Sequence, residues 1–181
     1  TFPTLGVFNE DLQTTSKAII NIVYRFNTKT ETQIKNLIDS INLPHQYVGF
    51  HIRRGDKIIE SNEFPNHLYI KKSLQICDAY RNAFVLTDDY TVIKELKDTY
   101  KDWNLFTLTN PNEKGYEFSK YINKSVDDMR KDMIKLFASM EILRKSNYFV
   151  GTYSANPGMF LGMCMEKDKT FGVDLDKWQI W

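Results

Sequence analysis

The chain has 181 residues, 42% of them hydrophobic and 26% charged, which is ordinary for a soluble globular protein long enough to bury a core. Its 24 basic and 23 acidic residues leave a net charge of +1, too little of an electrostatic footprint for bulk nucleic acid to be the main partner. Aromatics at 14% argue against disorder, and no run reaches the roughly 18 apolar residues of a membrane span.

In chain order, residues 8–25 and 29–42 predict two helices. The second, "TKTETQIKNLIDSI", has Thr28 or Thr30 as its cap, Ile34, Leu37, Ile38 and Ile41 on one face, and Pro44 beyond its end. "YVGFHIR" (47–53) reads as a buried strand. A helix over 66–80 would turn Leu68, Ile70, Leu74 and Cys77 inward. The strand "AFVLTDD" (83–89) follows, stopped by two aspartates, then a helix over 91–100 and the strand "WNLFTL" (103–108). Residues 110–125 are polar and turn-rich and read as a long loop. A long helix over 126–145 carries Met129, Met133, Leu136, Phe137, Met140 and Leu143 at helical spacing. "YFVGT" (148–152) is a strand, 154–167 a loop leading into a helix, and "KTFGVD" (169–174) a last strand. Strands alternating with helices imply parallel strands with right-handed crossovers. The fold class expected is α/β, an open, doubly wound, Rossmann-like sheet with helices on both faces, forming one domain over 1–181 with a helical N-terminal part over 1–45.

In such a sheet ligands bind beyond the carboxyl ends of the strands. Three polar clusters fall there: His51-Ile-Arg53-Arg54-Gly55-Asp56-Lys57, Thr87-Asp88-Asp89, and Gly151-Thr152-Tyr153-Ser154-Ala155-Asn156-Pro157-Gly158. Paired arginines present planar forks matched to phosphate oxygens. A small hydroxyl-bearing turn before a helix offers backbone N–H groups to an anion. Carboxylates hold ribose or sugar hydroxyls. The arrangement suits a nucleoside diphosphate, whose departure from a sugar carbon builds charge that fixed donors stabilise. Each cluster also has a plainer use. The Arg53–Lys57 run could be a surface ion-pair group, one of Asp88 and Asp89 a helix cap, and Ser154 an N-cap. His45 and His67 lack metal-ligand spacing, and the adjacent aspartates are a weak metal signal. Neither G-x-G-x-x-G, a P-loop nor G-x-S-x-G is present, which disfavours dinucleotide, P-loop and α/β-hydrolase chemistry. Cys77 and Cys164 are too few for a disulfide framework and suit buried thiols.

His51-x-Arg53-Arg54-x-Asp56-Lys57, then Tyr69 opening a helix, "LTDD", "FVGTYS" and "FGVDLDKWQIW" together resemble the α-1,6-fucosyltransferase family, from about residue 30 to the C-terminus. The resemblance implies an inverting, metal-independent glycosyltransferase that uses GDP-fucose and a glycan acceptor. It also implies likeness to the C-terminal, donor-binding half of a GT-B enzyme. Arg53 would hold the diphosphate, and Arg54, Asp56 and Lys57 would order the donor site. Glu60 would be the base, with Glu63 its rival, and His51 would lie beside the nucleobase. Tyr69, Asp88, Asp89, Thr152, Tyr153 and Ser154 match donor-site positions. Ser139 stands where the family carries an acid that reads guanine, so the nucleobase stays open, and a UDP- or GDP-linked 6-deoxysugar or pentose is the alternative donor. No cofactor beyond the nucleotide sugar is implied. The roughly 45 residues before the first strand are too few for a second Rossmann unit. The chain is either a minimal enzyme or one module, catalytic or merely nucleotide-sugar-binding, of a larger protein. The cytoplasm is the favoured compartment, as no signal or span is visible, with the Golgi lumen the alternative for a fragment.

Overall fold

The computed structural model describes residues 11–56 and 63–179. Its centre is a five-stranded sheet, all parallel, in the order β3-β2-β1-β4-β5. The strands are β1 (Val48–Ile52), β2 (Asn82–Thr87), β3 (Asn104–Phe106), β4 (Tyr148–Gly151) and β5 (Thr170–Gly172). The chain winds outward from β1 to β3 in one direction, then crosses back to add β4 and β5 on the other side. The strand order reverses between β1 and β4, and the crevice at that switch point is where ligands of such sheets sit.

Alternation along β1 assigns the two faces. Val48, Phe50 and Ile52 pack with Ala83, Val85 and Val150 under α3 (Asn66–Ile76) and α4 (Tyr90–Thr99). The other face meets α6 (Val126–Arg144) and α7 (Asn156–Cys164), where Phe84 and Phe149 pack with Met140, Leu143 and Leu161. Gly49 lies on this second face, where a Cβ would stand 2.7 Å from Leu143. Phe50, Phe84 and Phe149 are completely buried, each contributing roughly 1.5–3 kcal/mol by the area taken from water. Of the N-terminal helices, α1 (Leu12–Val23) packs on α7 and α2 (Thr28–Asp39) on α6.

Several local expectations change. The cap of α2 is Asn27, whose side chain accepts from Thr30 N at 3.0 Å, so the hydroxyls at 28 and 30 lie within the first turn. In α3 the buried residues are Asn66, Tyr69, Ile70 and Ser73, while Leu74 turns outward. The helix starts at Asn66 and its inward stripe is set by the buried Tyr69, a register that apolar spacing alone did not reveal. Residues 118–121 form one helical turn, α5 (Phe118–Tyr121), within the segment expected to be loop. On α6 Met133 is exposed, and Ser139 and Glu141 are buried. Cys164 is buried, which pushes its thiol up to about 12, whereas Cys77 is only half-buried. Among the described residues no helix is long and apolar enough to cross a membrane.

Candidate functional site

The ends of β1 and β2 build one corner of the rim. Arg53, one residue past β1, donates from Nη1 to Asp88 Oδ2 at 2.6 Å and from Nη2 to Asp56 Oδ1 at 2.7 Å. These use two of its five N–H groups. The Tyr116 ring lies under the guanidinium at 4.9 Å, a cation–π contact that fixes the fork's plane. Asp88 is the hub: its carboxylate also accepts from Arg54 N at 2.7 Å and Tyr116 N at 2.9 Å. The chain closes on itself here because residues 113–116 return as an irregular strand. Asp89 and Lys114 form an antiparallel bridge, Gly115 N donates to Asp88 O, and Asp56 N donates to Tyr116 O. That approach requires glycine. Gly55 has φ +64°, and a Cβ on it would lie 2.4 Å from Tyr116 O.

Arg54 faces away from this corner. It donates to Arg53 O at 3.0 Å, Phe64 O at 3.2 Å and Asn66 Oδ1 at 2.6 Å, with Glu63 Oε2 3.5 Å from its Nε. Asn66 in turn donates to Glu95 on α4 at 2.8 Å. Arg54 therefore locks the entry of α3. Tyr69 is a core residue, 1% exposed, beside Arg54, and burial pushes its phenol up. Asp89 is the helix cap, accepting from Thr91 N at 2.8 Å and Thr91 Oγ1 at 2.7 Å. The two adjacent aspartates thus have separate tasks. Lys57 and Glu60 lie outside the described residues. With Asp56, Asp88 and Glu63 beside two arginines, the described corner is no positive patch. What it offers an anion is a fixed fork rather than surplus charge.

The switch point lies next to it. His51, on β1, is 3% exposed, and its Nδ1 has no hydrogen-bond partner among the described residues. Burial and the neighbouring Arg53 charge hold its pKa down at about 3, against the pull of Asp174, so the ring is neutral. Thr152, just past β4, is 6% exposed and its Oγ1 is likewise unpartnered. Two buried, unsatisfied polar atoms at neighbouring strand ends are unusual, because each costs about 1–3 kcal/mol unless something pairs with it.

The third corner departs from expectation. The Tyr153 and Ser154 amides, read as donors to an anion, are taken. Asp174, two residues past β5, accepts from Tyr153 N at 2.8 Å, Ser154 N at 2.8 Å and Leu175 N at 3.0 Å. A carboxylate of the chain itself fills the place drawn for phosphate. Ser139 also differs. It is 2% exposed and donates from its hydroxyl to Lys135 O at 2.9 Å within its own helix. This back-bonding leaves it no spare proton for a ligand. Asp174 and Tyr116 were missed in the sequence. The signal for Asp174 was present, an acid at the end of an apolar run like those at 56 and 88. Tyr116, following a glycine in a polar loop, carried none.

A parallel sheet reversing at β1/β4, with an arginine fork and unsatisfied polar atoms at that reversal, defines a Rossmann-like ligand-binding unit of the kind that forms half of a GT-B glycosyltransferase. The family model for alpha-(1,6)-fucosyltransferase N- and catalytic domains matches residues 16–157, and the chain belongs to that family. Among curated proteins it is 25% identical over 150 residues to the alpha-(1,6)-fucosyltransferase of Caenorhabditis elegans, covering 75% of this chain and 25% of that one. Among solved structures it is similar to NodZ alpha-1,6-fucosyltransferase soaked with GDP-fucose, with a TM-score of 0.52 and 12% identity, covering 78% of this chain and 43% of that one. The chain thus spans about a quarter of the curated relative's length.

Proposed function

We propose that this chain carries the donor site of an inverting fucosyltransferase that moves L-fucose from GDP-fucose to a glycan hydroxyl. The observation that carries the reading is Arg53, held by Asp56, Asp88 and Tyr116 at the switch point of a chain in this family. Its remaining N–H groups are preorganised to meet the diphosphate oxygens, and preorganised donors stabilise developing charge without rearranging. In the reaction the acceptor O–H loses its proton to a carboxylate, Glu60 or Glu63. The oxygen attacks the anomeric carbon, the carbon–phosphate-oxygen bond breaks on the opposite face, and GDP leaves with that electron pair. General-base help of this kind gives roughly 10²–10⁴-fold. Asp56 and Asp88 act as positioning residues, and His51 Nδ1 and Thr152 Oγ1 supply buried partners for the donor. The Tyr153 and Ser154 amides are left out of this scheme because Asp174 holds them.

Ser139 supports a second reading. With no acid there and its hydroxyl bonded to Lys135 O, guanine recognition rests on weaker groups, so a related transferase using another nucleotide sugar is the rival. The test is a calorimetric titration with GDP, UDP, ADP and dTDP, each with EDTA and with added Mn²⁺. GDP binding best, and equally in EDTA, is the expected result. Tighter UDP binding selects the rival, and binding that appears only with Mn²⁺ rejects metal independence.

A further inference from the structure

One ion pair on the rim overhangs the switch point from the α6 side. Gly49 faces α6, where a Cβ on it would stand 2.7 Å from Leu143, and alternation along β1 turns His51 to the same face. α6 passes into β4 through residues 145–147, and β4 is parallel to β1. α6 therefore runs antiparallel to β1, with its N-terminal half at the carboxyl rim. From Gly49 to His51 is a rise of roughly 6.6 Å along the strand, and from Leu143 back to Ser139 roughly 6 Å along the helix. His51 thus comes level with Ser139. One turn further, on the same helix face, Lys135 comes level with Arg53, and its carbonyl takes the Ser139 hydroxyl. The partner of Lys135 belongs to the segment that holds Arg53. Glu113 Oε1 accepts from Lys135 Nζ and from Asn110 N, and Glu113 O accepts from Tyr90 N at 2.9 Å. Tyr116, three residues on, lies under the Arg53 guanidinium.

Three residues of chain span at most roughly 10 Å, which is also about the reach from a nucleotide's phosphates to the edge of its base. Neither member of the pair is used up. Among the described residues Glu113 Oε2 accepts no hydrogen bond, and Lys135 Nζ donates only one of its three. Both side chains are partly buried, so they keep a fixed place without being sealed off. A lysine beside a carboxylate offers a base edge one donor next to one strong acceptor. Guanine alone among the common bases sets two adjacent N–H donors, N1–H and the 2-amino group, next to a carbonyl acceptor, O6. Uracil has one N–H between two carbonyls, and its second carbonyl would face the carboxylate. Adenine has an amino group and no N1–H. A surface ion pair by itself contributes little to stability, so the value of this one lies in what it presents.

We propose that Glu113 and Lys135 are the specificity-determining residues for the nucleobase: Glu113 accepts from N1–H and the 2-amino group of guanine, and Lys135 donates to O6. In this chain the acid that reads the base comes from the loop before Tyr116, not from position 139. The inference rests on the donor-site reading above. The test is a calorimetric titration of the wild type, Glu113→Ala, Glu113→Gln and Lys135→Met with GDP, IDP and UDP. IDP lacks only the 2-amino group, so the GDP-to-IDP affinity ratio reports the carboxylate's contact, and a general loosening of the loop would weaken both nucleotides alike. The wild type should prefer GDP over IDP at least about fivefold. Glu113→Ala should bring that ratio below about twofold, and the isosteric Glu113→Gln, which covers the case of an unfolded alanine variant, should place it between the two. Lys135→Met should weaken GDP and IDP together, since both carry O6. A wild type that binds GDP but does not distinguish it from IDP overturns the inference and keeps the donor reading, as does a GDP-to-IDP ratio unchanged in both Glu113 variants. No GDP binding to the wild type rejects the donor reading, and the inference with it.

Discussion

The two ends of the rim solve opposite electrostatic problems. At the β1/β2 corner a cation is fixed by carboxylates: Arg53 lies between Asp56 and Asp88, with Arg54 N and Tyr116 N on the same hub. At the β4/β5 corner an anion is fixed by amides, as Asp174 takes Tyr153 N, Ser154 N and Leu175 N. The first corner keeps N–H groups of Arg53 to spare, whereas at the second the backbone amides of Tyr153 and Ser154 are already taken. A ligand's negative charge is therefore expected to settle against Arg53, and the turn after β4 to serve as wall rather than cradle.

Removing the hub should give the largest effect. Asp88→Ala strips the partner from Arg53 and leaves two backbone amides unpaired in a half-buried corner. Urea unfolding should show a loss of about 2–4 kcal/mol, together with loss of nucleotide binding. The equivalent change at the other corner, Asp174→Ala, should cost stability while freeing the two amides, and so leave GDP affinity unchanged or improved. A drop in GDP affinity at Asp174→Ala matching that at Asp88→Ala would erase the contrast.

His51 lies between the corners and makes the comparison depend on pH. Its pKa is about 3 in the fold against about 6.5 in the unfolded chain. The unfolded state therefore takes up a proton first as pH falls. This contribution is flat above about pH 6.5, and stability declines from there toward pH 3. Between pH 7 and pH 5 the loss should be about 2 kcal/mol, at 1.36 kcal/mol per unit. His51→Gln should flatten that slope in denaturant titrations run at each pH. An unchanged slope would mean that the ring is not buried and neutral.

The smallest effect expected is at Ser139. Ser139→Asp buries a carboxyl group, which costs stability or takes up a proton unless it is paired. A ligand offering N–H donors to it should recover part of that cost. GDP should then raise the variant's Tm by more than it raises the wild type's, with no such gain for UDP. Equal gains for the two nucleotides would place Ser139 outside the base pocket.

The sheet was legible because its strands are short apolar runs, each broken by a polar cluster. Two strand-end clusters, at 53–56 and 87–89, are brought together as that rule anticipates. What the sequence hid was the pairing of those groups. Nothing local shows that Asp88 rather than Asp89 turns to Arg53, or that Arg54 points back to Asn66. Both depend on the long-range return of residues 113–116 onto the Gly55 turn. The pairing of Asp174 was hidden for a related reason: its partners lie 20 and 21 residues away across a strand pair. The inward face of α3 was misread because Tyr69 and Ser73 displace Leu74 from the core, an outcome of packing that apolar periodicity cannot encode.

The central claim is that Arg53 is a preorganised diphosphate fork, and a GDP titration of wild type and Arg53→Lys tests it most directly. Lysine keeps the charge and loses the planar fork. The account predicts that the wild type binds GDP, that Arg53→Lys weakens binding roughly tenfold to a hundredfold, the equivalent of one charge-assisted hydrogen bond or more, and that the Tm falls only slightly. Equal GDP affinity in the two proteins, with both folded, would contradict it.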